Sequence, residues 1–158
     1  MQKINPFLWF NNEAEEAARF YTSIFNNSKI VTVARYGDAG PGPKDSVMVV
    51  HFELNGQEFV ALNGGPTYRL TPAFSLVVNC ETQEEVDYYW DRLLADGGKP
   101  VQCGWLEDKF GLSWQVTPTI LTKKMAEGDP VKSQRMFKKM MEMVKLDIQP
   151  LQDAYDGK

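Results

Sequence analysis

The chain has 158 residues, of which 43% are hydrophobic and 24% charged, and this composition is typical of a globular protein with a proper core. Its formal net charge of −4 argues against a general binder of nucleic acid or of anionic membranes. No apolar run approaches the roughly 20 residues that a membrane-spanning helix needs, and no signal-peptide-like apolar segment follows Lys3. Cys80 and Cys103 are too few for a disulfide framework and are not spaced as metal ligands, so a reduced, cytoplasmic protein is expected.

The first half of the chain predicts one βαβββ module, over residues 3–66. Its strands are predicted over 4–10, 30–36, 47–54 and 57–62. Asn12, followed by Glu15, is typical of a helix N-cap with a capping-box partner. The helix that follows has an apolar stripe of Ala14, Ala17, Ala18, Tyr21, Ile24 and Phe25. Asn55-Gly56 between the last two strands is a strong signal for a two-residue hairpin.

The same order of elements recurs over residues 72–118, which predicts a second, shorter βαβββ module and an α+β fold. Its strands are predicted over 74–79, 99–102, 105–107 and 112–117. Thr82 and Glu85 form a capping box. The helical stripe that follows is Val86, Tyr89, Trp90, Leu93 and Leu94. Gly111 provides a sharp turn into the last strand, in which apolar residues alternate with Ser113, Gln115 and Thr117.

Residues 119–158 predict a helical tail outside the repeat, so that one domain is expected over 1–158. A short helix ends by Gly128, and Asp129-Pro130 is typical of an N-cap followed by Pro in the first turn. The next helix is predicted over 131–146. Its expected buried stripe is Phe137, Met140, Met141 and Val144, broadened by Met136 and Met143. This Met-rich face either packs on the chain's own sheet or forms a dimer contact or flexible lid.

A set of short motifs runs through both modules. They are Pro6-Phe7-Leu8-Trp9-Phe10, Ala14-Glu15-Glu16-Ala17, Phe20-Tyr21, Phe52-Glu53-Leu54-Asn55-Gly56-Gln57, Ala61-Leu62-Asn63-Gly64-Gly65-Pro66 and Asp108-Lys109-Phe110-Gly111 through Pro118. Together they resemble the PhnB-like family, often labelled 3-demethylubiquinone-9 3-methyltransferase-like, of the vicinal oxygen chelate superfamily. The resemblance covers residues 3–118 and implies eight strands in two cupped sheets, usually in a homodimer, with a ligand cavity in the cup. It implies no firm activity.

The superfamily's metal ligands lie on the first and last strands of each module. Carried over to this sequence, those positions fall near Asn5 or Pro6, near Ala73 or Ser75, near Val60 and at Gln115. Ordinary divalent sites need several His or carboxylate ligands, and only the amide of the last position is a credible ligand. The resemblance therefore implies no strongly bound metal here. The methyltransferase label finds no support either, because the strand-to-helix turns lack the glycines of an adenosyl-cofactor site.

His51 is the only histidine, and so the only imidazole available for acid–base work near neutral pH. In a two-residue hairpin Leu54 pairs with Gln57, which places His51 opposite Val60 on one face of the sheet. If Val60 faces the cup, as the superfamily register implies, His51 does too. It is then a candidate general base or hydrogen-bond donor, and the alternative is a satisfied, half-buried strand histidine. With Gln115 it is predicted to orient a carbonyl or phenol-like group.

Six further side chains are weaker candidates for ligand contact. They are Phe7, Trp9, Asn63, Ser75, Cys103 and Ser113. The two aromatic residues share a strand face and form either a wall for a planar ligand or ordinary core. The hydroxyl and amide side chains either fix ligand polarity or are simply solvated. The cysteine, expected on a short strand, has no obvious base and makes a poor nucleophile.

Three functions remain open from the sequence. The first is an enzyme acting on a small metabolite, such as an aromatic or carbonyl-bearing one, without a strongly bound metal. The second is a non-catalytic dimer that sequesters a small molecule. The third is a structural or regulatory dimer whose tail helices are the working part. The enzyme predicts paired catalytic groups in the cavity. The sequestering dimer predicts an aromatic-lined cavity, and the structural or regulatory dimer predicts a filled cavity with a wide Met-rich interface.

Overall fold

Two four-stranded mixed sheets, one in each half of the chain, organise the structure. A computed structural model describes residues 2–158, and the chain divides into two compact units, Met1–Leu70 and Thr71–Lys158. Each sheet has a helix from its own unit packed on one face, and the second unit continues into three more helices. The predicted α+β class with two βαβββ modules is confirmed.

The first unit contains one helix and four strands. They are β1 (Phe7–Phe10), α1 (Ala14–Ile24), β2 (Lys29–Arg35), β3 (Val47–Leu54) and β4 (Gln57–Asn63). The strand order is β1-β4-β3-β2, with β1 parallel to β4 and the other neighbours antiparallel. Because β1 and β4 run parallel, the chain must cross over between the edges of the sheet, and α1 lies on this crossover.

The core of the first unit lies between α1 and the sheet. The predicted stripe of α1 is buried, except for the half-buried Phe25. The Tyr21 ring lies 6.3 Å from the Phe52 ring, and Phe52 stacks on Phe59 of the neighbouring strand at 5.4 Å. Side chains alternate along a strand, so Val60 and His51, which pair directly, lie on the face away from α1. The predicted hairpin register is confirmed.

The N-terminus of α1 is capped from outside the helix. Asn12 was expected to be the N-cap, and this prediction is wrong: the N-cap residue is Glu13, whose side chain makes no cap bond. The backbone N–H of Ala14 instead donates to Oδ1 of Asn63 at 2.8 Å. A side chain at the end of β4 therefore satisfies one of the four orphan donors of α1.

The second unit repeats the arrangement and adds a tail. Its elements are β5 (Ser75–Cys80), α2 (Gln83–Leu94), β6 (Lys99–Pro100), β7 (Trp105–Glu107), β8 (Ser113–Pro118), α3 (Thr119–Ala126), α4 (Pro130–Met141) and α5 (Ile148–Asp156). The strand order is β5-β8-β7-β6, with β5 parallel to β8. Thr82 caps α2 by accepting from the N–H of Glu85 at 3.3 Å, as predicted. Within the α2 stripe, Val86, Trp90 and Leu93 are buried, while Tyr89 and Leu94 are half-buried.

A buried carboxylate shapes the turn into β8. Asp108 is only 2% exposed, and its Oδ1 accepts from the N–H groups of Phe110 at 2.8 Å and Leu112 at 3.1 Å. Its Oδ2 accepts from the indole Nε1 of Trp114 at 2.8 Å. Gly111 has φ +86°, a conformation that most residues resist, so the glycine expected at this turn is required there. The loop thus fixes the register of β8 through side-chain bonds.

The tail forms a small core of its own rather than packing its Met-rich face on the sheet. Its buried residues are Leu121, Met136, Leu146, Leu151 and Tyr155, with Met140 and Met143 against them. The predicted start at Asp129-Pro130 is confirmed, but the helix ends at Met141. The expected stripe is wrong in part: Phe137, Met141 and Val144 are exposed, whereas Met136 is buried and Met140 and Met143 pack against the tail core, as expected. The reason is that α3 and α5 pack against the side of α4 that carries Met136 and Met140, and α5 was not predicted.

Each helix within residues 2–158 is too short or too polar to cross a lipid bilayer.

Candidate functional site

The face of the second sheet turned away from α2 carries most of its polar side chains. Trp114 and Val116 of β8 are buried on the α2 side, so the alternating Ser113, Gln115 and Thr117 lie on the other. The parallel register brings Ser75, Val77 and Asn79 of β5 beside them. We call this surface, formed by residues 75, 77, 79, 105, 107, 113, 115 and 117, the open face of the second sheet.

Gln115 is held in one orientation on this face. Its Nε2 donates to Oγ of Ser75 at 2.9 Å, from one strand to the next. The bond uses one of the four hydrogen-bonding sites of an amide, leaving a second N–H and the carbonyl oxygen by valence. The structure thus brings together two residues that the sequence analysis proposed separately. Ser113 lies on the same face but is only 3% exposed.

An aromatic ring flanks Gln115 on the other side. Trp105 is its direct antiparallel partner on β7, and directly paired residues share a face. Glu107 pairs with Ser113 and forms an ion pair with Lys99 at 3.5 Å, which places a charged rim beside the amide. An oriented amide between a hydroxyl and an indole can bind a flat molecule with a carbonyl or phenol-like oxygen.

His51 is half-buried on the corresponding face of the first sheet, away from α1. Its neighbours across the strands are Val60 and Thr32. Phe7 pairs with Val60 and is 59% exposed, so it forms an accessible aromatic surface there. His51 and Gln115 belong to different units and to different sheets.

The Trp9 side chain is less available for contact with a ligand than the sequence suggested. Its Nε1 donates to the carbonyl oxygen of Gly65 at 2.9 Å, and its ring meets the Tyr68 ring edge-on at 5.0 Å. The indole also lies so close to Gly64 that a Cβ there would fall within 2.6 Å of the ring atoms. Local packing against residues 64–68 therefore fixes this side chain.

Asn63 lines a concavity of about 500 Å³ at one end of the first sheet. Both ends of its amide are used, since Oδ1 caps α1 and Nδ2 donates to the Val47 carbonyl oxygen at 3.1 Å. Its own backbone carbonyl oxygen accepts from the Tyr36 hydroxyl at 2.7 Å. These bonds make Asn63 a structural junction, and its side chain has little capacity left for a ligand.

The two cysteines occupy contrasting environments. Cys80 is fully buried, and this burial raises the pKa of its thiol to about 12. Cys103 was expected on a strand, but β6 ends at Pro100 and Cys103 lies in a turn with φ +61°. Its Sγ lies 3.5 Å from Sδ of Met141, and no base is hydrogen-bonded to it among residues 2–158.

The side chains do not fit a divalent metal of the superfamily type. Val60 offers only hydrocarbon at one ligand position, and Ser75 already accepts from Gln115 at another. Within residues 2–158, no three His, Cys, Asp or Glu side chains gather closely enough to hold a metal ion.

Sequence reasoning missed Trp105 and Asp108. The register of β7 against β8 depends on the loop over residues 108–112, which is not a two-residue hairpin, so the partner of Gln115 was not countable from the turn. The spacing of Asp108, Gly111 and Trp114 was visible as part of a motif. Its physical reason, a carboxylate accepting from the indole, needed the fold.

Comparisons with known proteins agree with this architecture. The family model described as 3-demethylubiquinone-9 3-methyltransferase matches residues 2–117. A Bacillus cereus structure, described as a putative 3-demethylubiquinone-9 3-methyltransferase, PhnB protein, is 43% identical with a TM-score of 0.68, over 74% of this chain and 99% of that one. No curated protein gives a significant match.

Two more distant structures show the same fold. Protein PA1353 from Pseudomonas aeruginosa is 22% identical with a TM-score of 0.61, over 75% of this chain and 98% of that one. The fosfomycin resistance protein FosX from Listeria monocytogenes is 16% identical with a TM-score of 0.56, over 78% of this chain and 96% of that one. Since the family match spans both βαβββ modules, the chain belongs to the 3-demethylubiquinone-9 3-methyltransferase-like, or PhnB-like, family of the vicinal oxygen chelate superfamily.

Proposed function

We propose that this PhnB-like protein binds a small organic metabolite on the open face of its second sheet, by hydrogen bonds rather than through a metal. The observation that supports the proposal is the Gln115 amide, fixed by Ser75 and flanked by Trp105. The ligand class that this chemistry fits is a planar, aromatic or conjugated molecule with a carbonyl or phenol-like oxygen.

A second candidate function is catalysis on such a metabolite, and His51 favours it. The imidazole is half-buried on a sheet face that no helix of its unit covers, and it can both donate and accept a proton. Methyl transfer is not favoured. The segments entering α1 and α2, Asn11–Glu13 and Glu81–Thr82, contain no glycine, and neither sheet is doubly wound.

A thermal-shift screen with phenols, quinones and α-keto acids tests the binding proposal, because a ligand specific for the folded state raises its stability by mass action. Hits are then titrated against Gln115→Ala. We expect affinity to fall roughly fivefold, for the loss of about one hydrogen bond of about 1 kcal/mol. Gln57→Ala, at the exposed hairpin of the first sheet, is the matched control and is expected to bind normally. Equal affinity in both variants would contradict the site.

The same hits separate catalysis from sequestration. If the chain is an enzyme, His51→Gln retains binding and loses turnover, since an amide hydrogen-bonds but does not exchange protons near neutral pH. Unchanged product formation in His51→Gln would remove His51 from any catalytic role. Hits that are recovered unaltered after long incubation would favour sequestration.

We further propose a homodimer located in the cytoplasm. Sheet edges left open invite pairing, and a partner copy closes them. The two cysteines are both free, as in a reducing compartment. Sedimentation at micromolar concentration is expected to give about twice the chain mass of 18.0 kDa, and a monomer mass would contradict the dimer.

A further inference from the structure

The three tail helices form an addition to the family fold. The family model ends at residue 117, and the Bacillus cereus structure is covered almost completely by only 74% of this chain. The added helices bury a core around Met136 and Leu151. The segment between α4 and α5 is joined to the second module, since the N–H groups of Cys103 and Gly104 donate to the carbonyl oxygens of Met143 and Val144. An addition that the family fold does not require can carry a role of its own.

The outer surface of the tail is apolar and concave. A groove of about 420 Å³ lies between α3 and α4, lined by Leu121, Met125, Met136, Phe137 and Met140 among others. A second depression of about 510 Å³ lies on the far side of Phe137, beside Val131, Lys138 and Met141. Met125 is 60% exposed and Phe137 53% exposed, so the ridge between the hollows is open to a partner. Methionine-rich grooves of this kind accept apolar side chains of a docking helix.

Basic side chains outnumber acidic ones around this groove. Helices α3 and α4 carry six Lys and Arg residues and no Asp or Glu. Five of the six are already engaged by acidic side chains or, in the case of Arg135, by the carbonyl oxygens of Ala154 and Tyr155. Lys138 is the exception among residues 2–158, and it lies beside Phe137 at the second depression. A second copy docking through the same two helices would bring no carboxylate from α3 or α4 to Lys138, which disfavours it.

We propose that the surface formed by α3 and α4 docks an acidic, amphipathic helical segment of another protein. Apolar residues of the segment would enter the hollows on either side of Phe137, and a carboxylate would pair with Lys138. A concave surface with a central ridge suits inserted side chains, whereas a lipid bilayer presents no side chains to insert. The proposal rests on Phe137 and Lys138 rather than on the metabolite site; of the residues that line the groove, only Thr117 belongs to the open face of the second sheet.

Selection from a displayed library of random peptides, roughly 12 residues or about three helical turns long, tests this on the full chain. The expected winners combine apolar residues at helical spacing with Asp or Glu. Their dissociation constants should rise at least tenfold with Phe137→Ser and severalfold with Lys138→Glu. Lys3→Glu, the same charge change at an exposed site in the first unit, is the control and should change nothing. Since Phe137 is exposed, its variant should keep the Tm of the parent.

Four results would overturn the proposal. They are no enrichment over background, winners that are neutral or basic, binding that survives Phe137→Ser, and a Phe137-dependent interaction with anionic phosphatidylglycerol vesicles or with a second copy in sedimentation.

Discussion

The two modules share an element order but fix their key strands by different means. In the first, a two-residue turn at Asn55-Gly56 sets the register of β4 through backbone geometry. In the second, the buried carboxylate of Asp108 sets that of β8 through three hydrogen bonds. The strand that carries Gln115 is thus fixed by a side chain. The comparison teaches that a repeat in sequence does not repeat the interactions that hold it.

The junctions between the first strand and the helix of each module differ in burial. Asn12 lies between β1 and α1, and Cys80 is the last residue of β5 before α2; Asn12 is exposed, whereas Cys80 is buried, with a thiol pKa raised to about 12. At neutral pH that lowers the reactive thiolate of Cys80 roughly a thousandfold relative to an ordinary thiol. We expect a thiol reagent to modify Cys103 quickly and Cys80 only after unfolding. Cys103→Ser should abolish the fast phase, and rapid labelling of both thiols would contradict the assignment.

Removing the Asp108 carboxylate from the turn before β8 should cost more stability than replacing Gly56 in the turn between β3 and β4. Asp108→Ala leaves the buried Trp114 Nε1 and two backbone N–H groups without their acceptor, so we expect a loss of unfolding free energy on the order of 3 kcal/mol or more. Asp108→Asn keeps one oxygen and should cost less. Gly56→Ala, at φ +79°, should cost about 1–2 kcal/mol. Denaturant unfolding gives the ranking, and an equal cost for Gly56→Ala and Asp108→Ala would contradict it.

The helix caps give a second contrast. Asn63→Ala uncaps α1 and also unpairs the Val47 carbonyl oxygen, whereas Thr82→Ala removes only the bond to the Glu85 N–H. We expect losses of about 2 and about 1 kcal/mol, respectively. Asn12→Ala, at the position first expected to cap α1, should be close to neutral. If Asn12→Ala proved the more costly change, the cap assignment for α1 would be wrong.

The helical tail follows only the second module. The stability of this tail should depend weakly on pH. The Tyr155 hydroxyl donates to Glu127 at 2.8 Å, which raises the pKa of Tyr155 to about 12; Lys124 and then Tyr155 lower the pKa of Glu127. The raised Tyr155 pKa adds stability below about pH 10 that is lost as pH rises toward 12. The lowered pKa of Glu127 stabilises the folded state at pH values above the ordinary glutamate pKa. This stabilisation is lost as the pH falls through the pKa that Glu127 has in the folded state.

Tyr155→Phe therefore should flatten the alkaline limb of the stability–pH curve and slightly weaken the acid limb. The effect should be small because Glu127 is exposed, where solvent screens its interactions. Thermal unfolding across the pH range measures it. An unchanged alkaline limb in Tyr155→Phe would show that this pair does not link the tail to pH.

Local signals were enough to predict much of this fold. The Asn55-Gly56 turn fixed the pairing of His51 with Val60 by counting, and the Thr82 and Asp129 caps involve donors within three residues. The Asn63 cap of α1 spans 49 residues, so no local pattern contained it. The burial of Met136 instead of Phe137 depended on α5. Pro150 obscured that helix, although it lies in the first turn, where proline is tolerated.

For a related reason, only part of the candidate site could be predicted from the sequence. Gln115 was evident from alternation along its strand, because the period of two is local. Its partners Ser75 and Trp105 come from other strands, and their positions depend on crossovers and on the Asp108 loop. The sequence analysis named Ser75 only as a separate candidate and did not single out Trp105 as a ligand contact.

The most direct test of the metabolite site is a crystal structure of the complex with the strongest hit from the ligand screen. We expect a ligand oxygen at about 3 Å from the Gln115 amide, with the ligand's ring against Trp105. A ligand found in the concavity beside Asn63, or in the groove between α3 and α4, would contradict it.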